Sequence, residues 1–362
     1  MLLMQGNTTL KVYPFKISKA TKRAREVVIT NIKAPTFEKS ESVSELRLKM
    51  GHQTARSRKW TEFEVEMPWG HISGKWWGSK NVRPILALHG WQDNAGTFDT
   101  LIPLLPANMS FLAIDFPGHG LSSYFPEGMM YHQIDFINVL LLLMKKMKWE
   151  KVSILGHSMG GVVGLWLASM FPDKVDLLIC IDTLKPPQLR KKTYWSEYSK
   201  LIKNTLLNDE RNQSIREPPS YTYKECVERL AKGSNSIDED KCSYILARNI
   251  KESTEKPGKF YFARDGRLKY MNKGLWPQEY YVNLASGIKI PHLFINALDT
   301  PINEPLEHFQ ETISILKKNP LFQFEEVRGR HHVHLNNPEN VSGIISQFLN
   351  THKSSSQQKS KL

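Results

Sequence analysis

Residues 151–171, KVSILGHSMGGVVGLWLASMF, decide the fold. The segment begins with a short apolar run that predicts a buried strand, and it ends with a longer run that predicts a helix. Gly156, Gly160 and Gly161 lie between the two, where a very tight turn needs residues without side chains. This pattern predicts an α/β fold in which Ser158 is exposed at the carboxyl end of a strand.

The same alternation of apolar runs and helical stretches continues on both sides. Short apolar runs that stop at Gly, Asp or Pro are typical of strands buried on both faces of a parallel sheet. These runs are RPILALHG (83–90), SFLAIDFPGHG (110–120), VDLLICIDT (175–183), HLFINALD (292–299) and FQFEEV (322–327). Because TEFEVEMP (61–68) and WGHISGKWWG (69–78) predict an antiparallel pair, we expect a doubly wound, mostly parallel sheet.

The strand rhythm divides the chain into five segments. Residues 186–285 interrupt it with charged, Tyr-rich and mostly helical sequence, which predicts a helical cap inserted between core segments 60–185 and 286–350. Residues 1–59 predict a basic, flexible arm, and residues 351–362 predict a disordered tail, because neither has enough apolar sequence to form a core.

The net charge of +13 comes from 49 Lys and Arg against 36 Asp and Glu. It is concentrated at the ends, since residues 1–59 carry +9, residues 351–362 carry +3, and residues 60–350 carry only +1. A nucleic-acid-binding protein would be expected to place its basic residues on a folded face. The predicted core does not, so we expect no nucleic-acid partner.

Membrane, disulfide and metal patterns are weak in this chain. The longest strongly apolar run, Ile137–Met144, is far shorter than the ~20 residues that span a bilayer, so we expect no stable membrane insertion. Cys180, Cys226 and Cys242 are too widely spaced to indicate a disulfide framework or a zinc site. We also find no dinucleotide-binding Gly loop, and we expect no metal and no cofactor.

The segment Gly156–Gly160 matches the pattern G-x-S-x-G, which predicts that Ser158 is a nucleophile. A serine hydroxyl needs a histidine base that is oriented by a carboxylate. The expected chain order is Ser, acid, His, and Asp299 at the end of an apolar run fits the second place. Three histidines compete for the third place: His331, His332 and His334.

From about Trp60 to Asn350 the chain resembles the α/β-hydrolase superfamily and, within it, the serine hydrolase-like proteins of animals. The resemblance rests on LALHGWQDNAGTFDTLIPLL (86–105), AIDFPGHGLSS (113–123), ILGHSMGGVVGLWLASMFPDKV (154–175), FARDGRLKY (262–270) and GRHHVHLNNPENV (329–341). It implies an α/β-hydrolase fold with a cap, and Ser158 as the nucleophile.

The resemblance also assigns the other two catalytic residues. The family's histidine follows a Gly by two residues and precedes a Pro by seven, which selects His331, with His332 as the alternative base. The family's usual position for the acid is Asp299, with Asp182 as the alternative acid, where some relatives carry it. The Gly that usually precedes the acid is absent before Asp299.

An oxyanion hole needs backbone N–H groups aimed at the developing negative charge. The resemblance implies that Met159, after the nucleophile, and Trp91, in the loop after LALHG, supply them. We interpret His89, His119 and His157 as structural residues, and Asp115 as a residue that orders its own loop.

These residues predict a serine hydrolase that cleaves ester or related acyl bonds of a small apolar substrate through an acyl-enzyme. Ser158 excludes the epoxide hydrolases and haloalkane dehalogenases that the chain also resembles, because these attack through an aspartate at that position. The alternatives are a peroxisomal acyl-CoA thioesterase and a catalytically silent binding protein. A complete set of Ser, Asp and His argues against the second.

The chain ends in Ser360-Lys361-Leu362, which matches a peroxisomal targeting signal read by an import receptor. We therefore expect the peroxisomal import receptor as a partner and the peroxisome as the location. The alternatives are a cytoplasmic and a mitochondrial location. The mitochondrial one is suggested by residues 1–25, which carry no acid, as in a transit peptide.

Overall fold

A computed structural model describes residues 26–27, 58–186, 194–212, 217–272, 276–302 and 304–359. Most of the predicted arm and the final three residues lie outside these ranges. The strands are β1 (Glu26–Val27), β2 (Trp60–Met67), β3 (Gly70–Trp77), β4 (Ile85–Leu88), β5 (Phe111–Ile114), β6 (Val152–His157), β7 (Val175–Ile181), β8 (Ile250–Glu252), β9 (Phe260–Phe262), β10 (His292–Ala297) and β11 (Phe322–Val327). The α-helices are α1 (Asp135–Met147), α2 (Met159–Met170), α3 (Tyr194–Asn212), α4 (Tyr223–Ser234), α5 (Cys242–Asn249), α6 (Gln278–Ser286), α7 (Leu306–Leu316), α8 (Val333–Asn336) and α9 (Glu339–Lys359).

The central sheet has the strand order β1-β2-β3-β5-β4-β6-β7-β10-β11. Strands β1, β2 and β3 run antiparallel to their neighbours. The remaining strands of this sheet, in the order β5-β4-β6-β7-β10-β11, are all parallel to one another. The predicted mostly parallel sheet with an antiparallel pair at its start is therefore confirmed. Since β6 is central, the turn after it reaches the carboxyl edge in the middle of the sheet.

Two hydrophobic cores lie on opposite faces of this sheet. In β4, Leu86 and Leu88 pack into one core, and the alternating residues Ile85 and Ala87 pack into the other. Buried residues of α1 and α2 belong to the first core, and buried residues of α9 belong to the second. Residues that alternate between two buried faces need apolar side chains at every position, which explains the continuous apolar runs.

The insertion between β7 and β10 contains α3, α4, α5 and α6, together with the antiparallel pair β8–β9. The pair was not predicted, because EKPGK (255–259) indicates a break between helices rather than the turn of a hairpin. A third, smaller hydrophobic cluster lies mainly within the insertion and includes Cys226, Ile245 and Phe260. The insertion is therefore not wholly helical.

The last helix, α9, runs to Lys359, beyond Asn350, the predicted end of the core. Its register carries Lys353 into a buried position, where the ammonium donates to Ser153 Oγ at 3.0 Å. Burial lowers the pKa of Lys353 to about 8. No helix within the described ranges is long and apolar enough to cross a bilayer.

A buried arginine joins the insertion to the core. Arg248 in α5 donates through Nη2 to Asp115 Oδ2 at 2.8 Å and through Nη1 to Glu62 Oε1 at 2.6 Å. Asp115 also accepts the backbone N–H of Ala95 at 2.7 Å and of Leu121 at 2.9 Å. It orders its own loop, as predicted, and it also anchors α5.

Candidate active site

The turn from β6 into α2 is strained at a single residue. Ser158 has φ 50° and ψ −119°, a conformation that residues with a side chain rarely adopt. A Cβ atom on Gly156 would lie 2.4 Å from Gly161 N, and one on Gly160 would lie 2.1 Å from Leu88 O. Only glycine fits at these two positions, so the predicted tight turn is confirmed and the Ser158 hydroxyl projects from the sheet edge.

His331 is the histidine that reaches this hydroxyl. Its Nε2 lies 2.9 Å from Ser158 Oγ, and its side chain is 28% exposed. Its backbone is fixed from the other side, since His157 Nε2 donates to the His331 carbonyl at 2.9 Å. The structure therefore brings His331 and Ser158 together within hydrogen-bond reach.

The neighbouring histidines have other partners. His332, the alternative base, is buried, and its Nδ1 lies 2.6 Å from Ser236 Oγ in the insertion. His334 is buried as well, with Nε2 2.9 Å from Thr97 Oγ1. The structure places both rings in packing positions rather than against the nucleophile.

The carboxylate beside His331 belongs to Asp182, which corrects the preference for Asp299. Asp182 Oδ2 lies 2.6 Å from His331 Nδ1 and accepts the Thr300 hydroxyl at 2.7 Å. Its Oδ1 accepts the backbone N–H of Ala297 at 2.6 Å. Asp182 is a second strained residue, with φ 56°. This backbone conformation sets the direction of its side chain at the end of β7. Sequence reasoning missed Thr300, for which the chain carries no motif.

Asp299 is exposed and has a different task. Its Oδ2 accepts the backbone N–H of Gly329 at 3.0 Å, and its own N–H donates to Gly329 O at 3.0 Å. It therefore holds the beginning of the loop that carries His331. Both carboxylates follow neighbouring parallel strands, so their backbones reach the same edge, but Asp182 alone reaches the imidazole.

Three possible metal ligands converge near His331. Asp93, His157 and His332 are buried, and their ligand atoms lie within 4.8 Å of one another. Burial and the nearby imidazoles of His334, His331 and His332 hold the pKa of His157 well below its ordinary value, so its ring is neutral. Sequence spacing did not indicate this group. Asp93 Oδ2 lies 3.3 Å from His332 Nε2, so we assign the cluster a packing role between the loop after β4 and the loop of His331.

The residues expected to form an oxyanion hole lie beside the nucleophile. Met159 is the first residue of α2, where the backbone N–H has no partner within the helix. Trp91 lies in the loop after β4, and its indole donates to Leu268 O at 2.7 Å. Met159 and Trp91 line one cavity together with Ser158.

The histidines of the neighbouring loops act as hydrogen-bond acceptors. His89 Nε2 accepts the backbone N–H of Phe116 at 3.0 Å, and His119 Nε2 accepts that of Gln92 at 3.2 Å. Burial lowers the pKa of both rings, which keeps the accepting nitrogens unprotonated. Both therefore hold the loop of Trp91 in place, as the sequence predicted for structural histidines.

Two cavities meet at Ser158. The larger has a volume of about 730 Å³ and is bordered by Met271 and Ser234 of the insertion and by Phe294 and Phe309 of the core. The smaller has a volume of about 420 Å³. Since Ser158 and His331 line both cavities, a substrate can occupy the two together.

Comparison with known proteins identifies relatives of this chain. A family model described as the alpha/beta hydrolase fold matches residues 83–338. A probable serine hydrolase of Drosophila melanogaster is 37% identical over 293 residues, which cover 80% of this chain and 88% of the fly protein. A serine hydrolase-like protein of Danio rerio is 34% identical, with 82% and 90% of the two chains covered.

A solved structure shows the same architecture. A hypothetical protein from Pseudomonas aeruginosa PAO1 superposes with a TM-score of 0.69 at 26% identity, covering 80% of this chain and 99% of that protein. The relatives and the fold thus agree with the geometry around Ser158.

Proposed function

Since the chain belongs to the α/β hydrolase family, we propose that it is a serine hydrolase that cleaves carboxylic ester or related acyl bonds through an acyl-enzyme. The observation that carries this proposal is the continuous contact from Ser158 Oγ to His331 Nε2 and from His331 Nδ1 to Asp182 Oδ2, at 2.9 Å and 2.6 Å. Hydrolase activity accords with the family. The catalytic roles of Ser158, His331 and Asp182 are our assignment.

The reaction follows from the positions of these atoms. Ser158 Oγ attacks the substrate carbonyl while His331 Nε2 accepts the hydroxyl proton. The imidazolium that forms is stabilised by the Asp182 carboxylate, and His331 then donates the proton to the leaving group. In the second half of the reaction, His331 accepts a proton from water, which attacks the acyl-enzyme and releases the acid.

When Ser158 attacks, negative charge develops on the carbonyl oxygen of the substrate, and hydrogen-bond donors are needed to stabilise it. The backbone N–H groups of Met159 and Trp91 are suited to this role, because both residues border the cavity at Ser158. The larger cavity is bordered by polar residues and also by apolar ones, such as Met271, Phe294 and Phe309. Its apolar part suits the acyl chain of a small apolar substrate.

We expect the purified protein to hydrolyse p-nitrophenyl esters of short acyl chains and to react with a fluorophosphonate probe. The rival, an acyl-CoA thioesterase, is favoured by the last three residues and would release thiol from thioesters faster than phenol from esters of the same acyl chain. Measuring kcat/KM for both series decides between them. A protein that turns over neither series and resists the probe would support the silent binding protein instead.

We also propose that Ser360-Lys361-Leu362 directs the protein to the peroxisome through the import receptor. Fluorescence microscopy of the protein with a fluorescent domain at its amino end should show a peroxisomal pattern. Removing the last three residues should disperse it. A pattern that survives this deletion, or one that is mitochondrial, would refute the proposal.

A further inference from the structure

The smaller cavity beside Ser158 has a basic wall. Arg229, Arg264 and Lys269, all from the insertion, border it, and Asp93 is the only acid among the described residues that line it. Asp93 is buried, and its Oδ2 lies 3.3 Å from His332 Nε2. Among these residues, the lining thus contains three cations and a single carboxylate, which is buried.

Two of these cations rest on aromatic rings. The Arg229 guanidinium lies 3.8 Å from the centroid of Tyr221, and the Arg264 guanidinium lies 5.1 Å from that of Phe262. The two ring centroids are 6.3 Å apart. Because Tyr221 and Phe260 exchange backbone hydrogen bonds at 2.8 and 2.7 Å, the rings are held beside the β8–β9 hairpin. This arrangement orients the two guanidinium groups before any ligand binds.

The three cations have no counter-ion among the residues that the structure describes. Within the described ranges, Arg229, Arg264 and Lys269 form neither an ion pair nor a hydrogen bond. Burial without a compensating charge lowers the pKa of Arg264. An anion placed here would therefore gain strong charge-assisted hydrogen bonds.

The larger cavity differs in this respect. Among the described residues that line it, the cations are Lys185 and Arg330, and both are already paired, the first with Glu304 at 2.6 Å and the second with Asp238. Positive charge is thus available on one side of Ser158 and neutralised on the other.

We propose that the smaller cavity binds an anionic group, a carboxylate or a phosphate, of the acyl substrate that Ser158 cleaves. This inference rests on the proposed hydrolase function and names a class of substrate for it. The scissile carbonyl lies at Ser158 and the apolar part of the substrate lies in the larger cavity. The anionic group lies against Arg229 and Arg264.

Two matched pairs of substrates test the proposal. Mono-p-nitrophenyl glutarate and p-nitrophenyl pentanoate differ in a carboxylate on the acyl side. S-butyryl-4′-phosphopantetheine and S-butyryl-pantetheine differ only in the phosphate on the leaving group. The charged member of at least one pair should have a kcat/KM at least about tenfold higher, which is the effect of one charge-assisted hydrogen bond. The pair that shows the preference identifies the anion and its side.

Substitution then locates the effect. Arg264→Gln and Arg229→Gln should each lower kcat/KM for the preferred anionic substrate by about tenfold, and leave the neutral partner within about twofold. Lys224→Gln is the matched control, because Lys224 is an exposed residue of α4, the helix that also carries Arg229, and it does not line the cavity. This control should leave the preference unchanged.

The outcomes separate the two proposals. Turnover of neutral substrates without any charge preference overturns the anion site and leaves the hydrolase function intact. Equal losses on charged and neutral substrates in Arg264→Gln also overturn it, because they indicate a structural defect. If the protein hydrolyses none of the four substrates, the hydrolase proposal is refuted, and the anion-site proposal, which rests on it, is refuted as well.

Discussion

Ser158→Ala is expected to lower kcat for ester hydrolysis by a factor on the order of 10⁶, and to abolish labelling by a fluorophosphonate. In the proposed reaction the hydroxyl oxygen forms the acyl-enzyme, and no other described hydroxyl lies within reach of His331 Nε2. His331→Ala should cause a loss of similar size, because a nucleophile and its base act as one unit whose effects do not add. Initial rates and gel-based labelling measure both.

His332→Ala is the matched control for this experiment. The His332 ring contacts Ser236 and Asp93 and lies away from the nucleophile, so its loss should reduce stability more than turnover. Undiminished labelling of Ser158→Ala would show that another residue is the nucleophile. Equal losses in His331→Ala and His332→Ala would leave His331 without its assigned role.

Asp182→Asn should lower kcat by about 10⁴-fold. The neutral amide cannot stabilise the imidazolium, and its NH₂ group would favour the wrong tautomer of His331. The fold should be retained, since the amide oxygen of Asn can still accept the Ala297 N–H that Asp182 Oδ1 accepts. Steady-state kinetics with a p-nitrophenyl ester, together with circular dichroism, measure the two effects.

Asp299→Asn is the natural comparison. Asp299 accepts only the backbone N–H of Gly329 through its side chain, and an amide oxygen can replace it in that contact. The expected change in kcat is therefore small, within about tenfold. If Asp299→Asn causes the greater loss, the assignment of Asp182 is wrong and the acid is the one that the sequence favoured.

The nucleophile turn was predictable because it depends on local sequence. A strand, a glycine-flanked serine and a helix are contiguous in residues 151–171, and steric exclusion at Gly156 and Gly160 requires glycine there. The parallel sheet was predictable for a similar reason, since strands with two buried faces must be apolar throughout.

The acid was not predictable in the same way. Asp182 and Asp299 both follow apolar strands, and β7 and β10 are neighbours in the sheet, so both residues reach the same edge. The choice depends on the backbone angle of Asp182 and on its contact with Thr300, which sequence does not specify. The missing Gly before Asp299 was the one local signal against the usual position.

The basic cavity was beyond the sequence for a different reason. Arg229 belongs to α4, whereas Arg264 follows β9, and their separation along the chain carries no periodic pattern. The net charge of residues 60–350 is close to zero, so it did not indicate that Arg229 and Arg264 are unpaired within the described ranges. Only the pairing of the other basic residues shows which positive charges are available.

The bond between Arg248 and Asp115 limits how the core and the insertion of this protein can be exchanged for those of another protein. Asp115 ends a core strand, whereas Arg248 belongs to the insertion, and both are buried. Replacing the insertion with one that lacks this arginine would leave the buried Asp115 carboxylate without its partner. The free energy of unfolding would fall by about 3–5 kcal/mol. Core and insertion are thus not interchangeable modules, and chimeras designed to alter substrate choice must keep the two residues together.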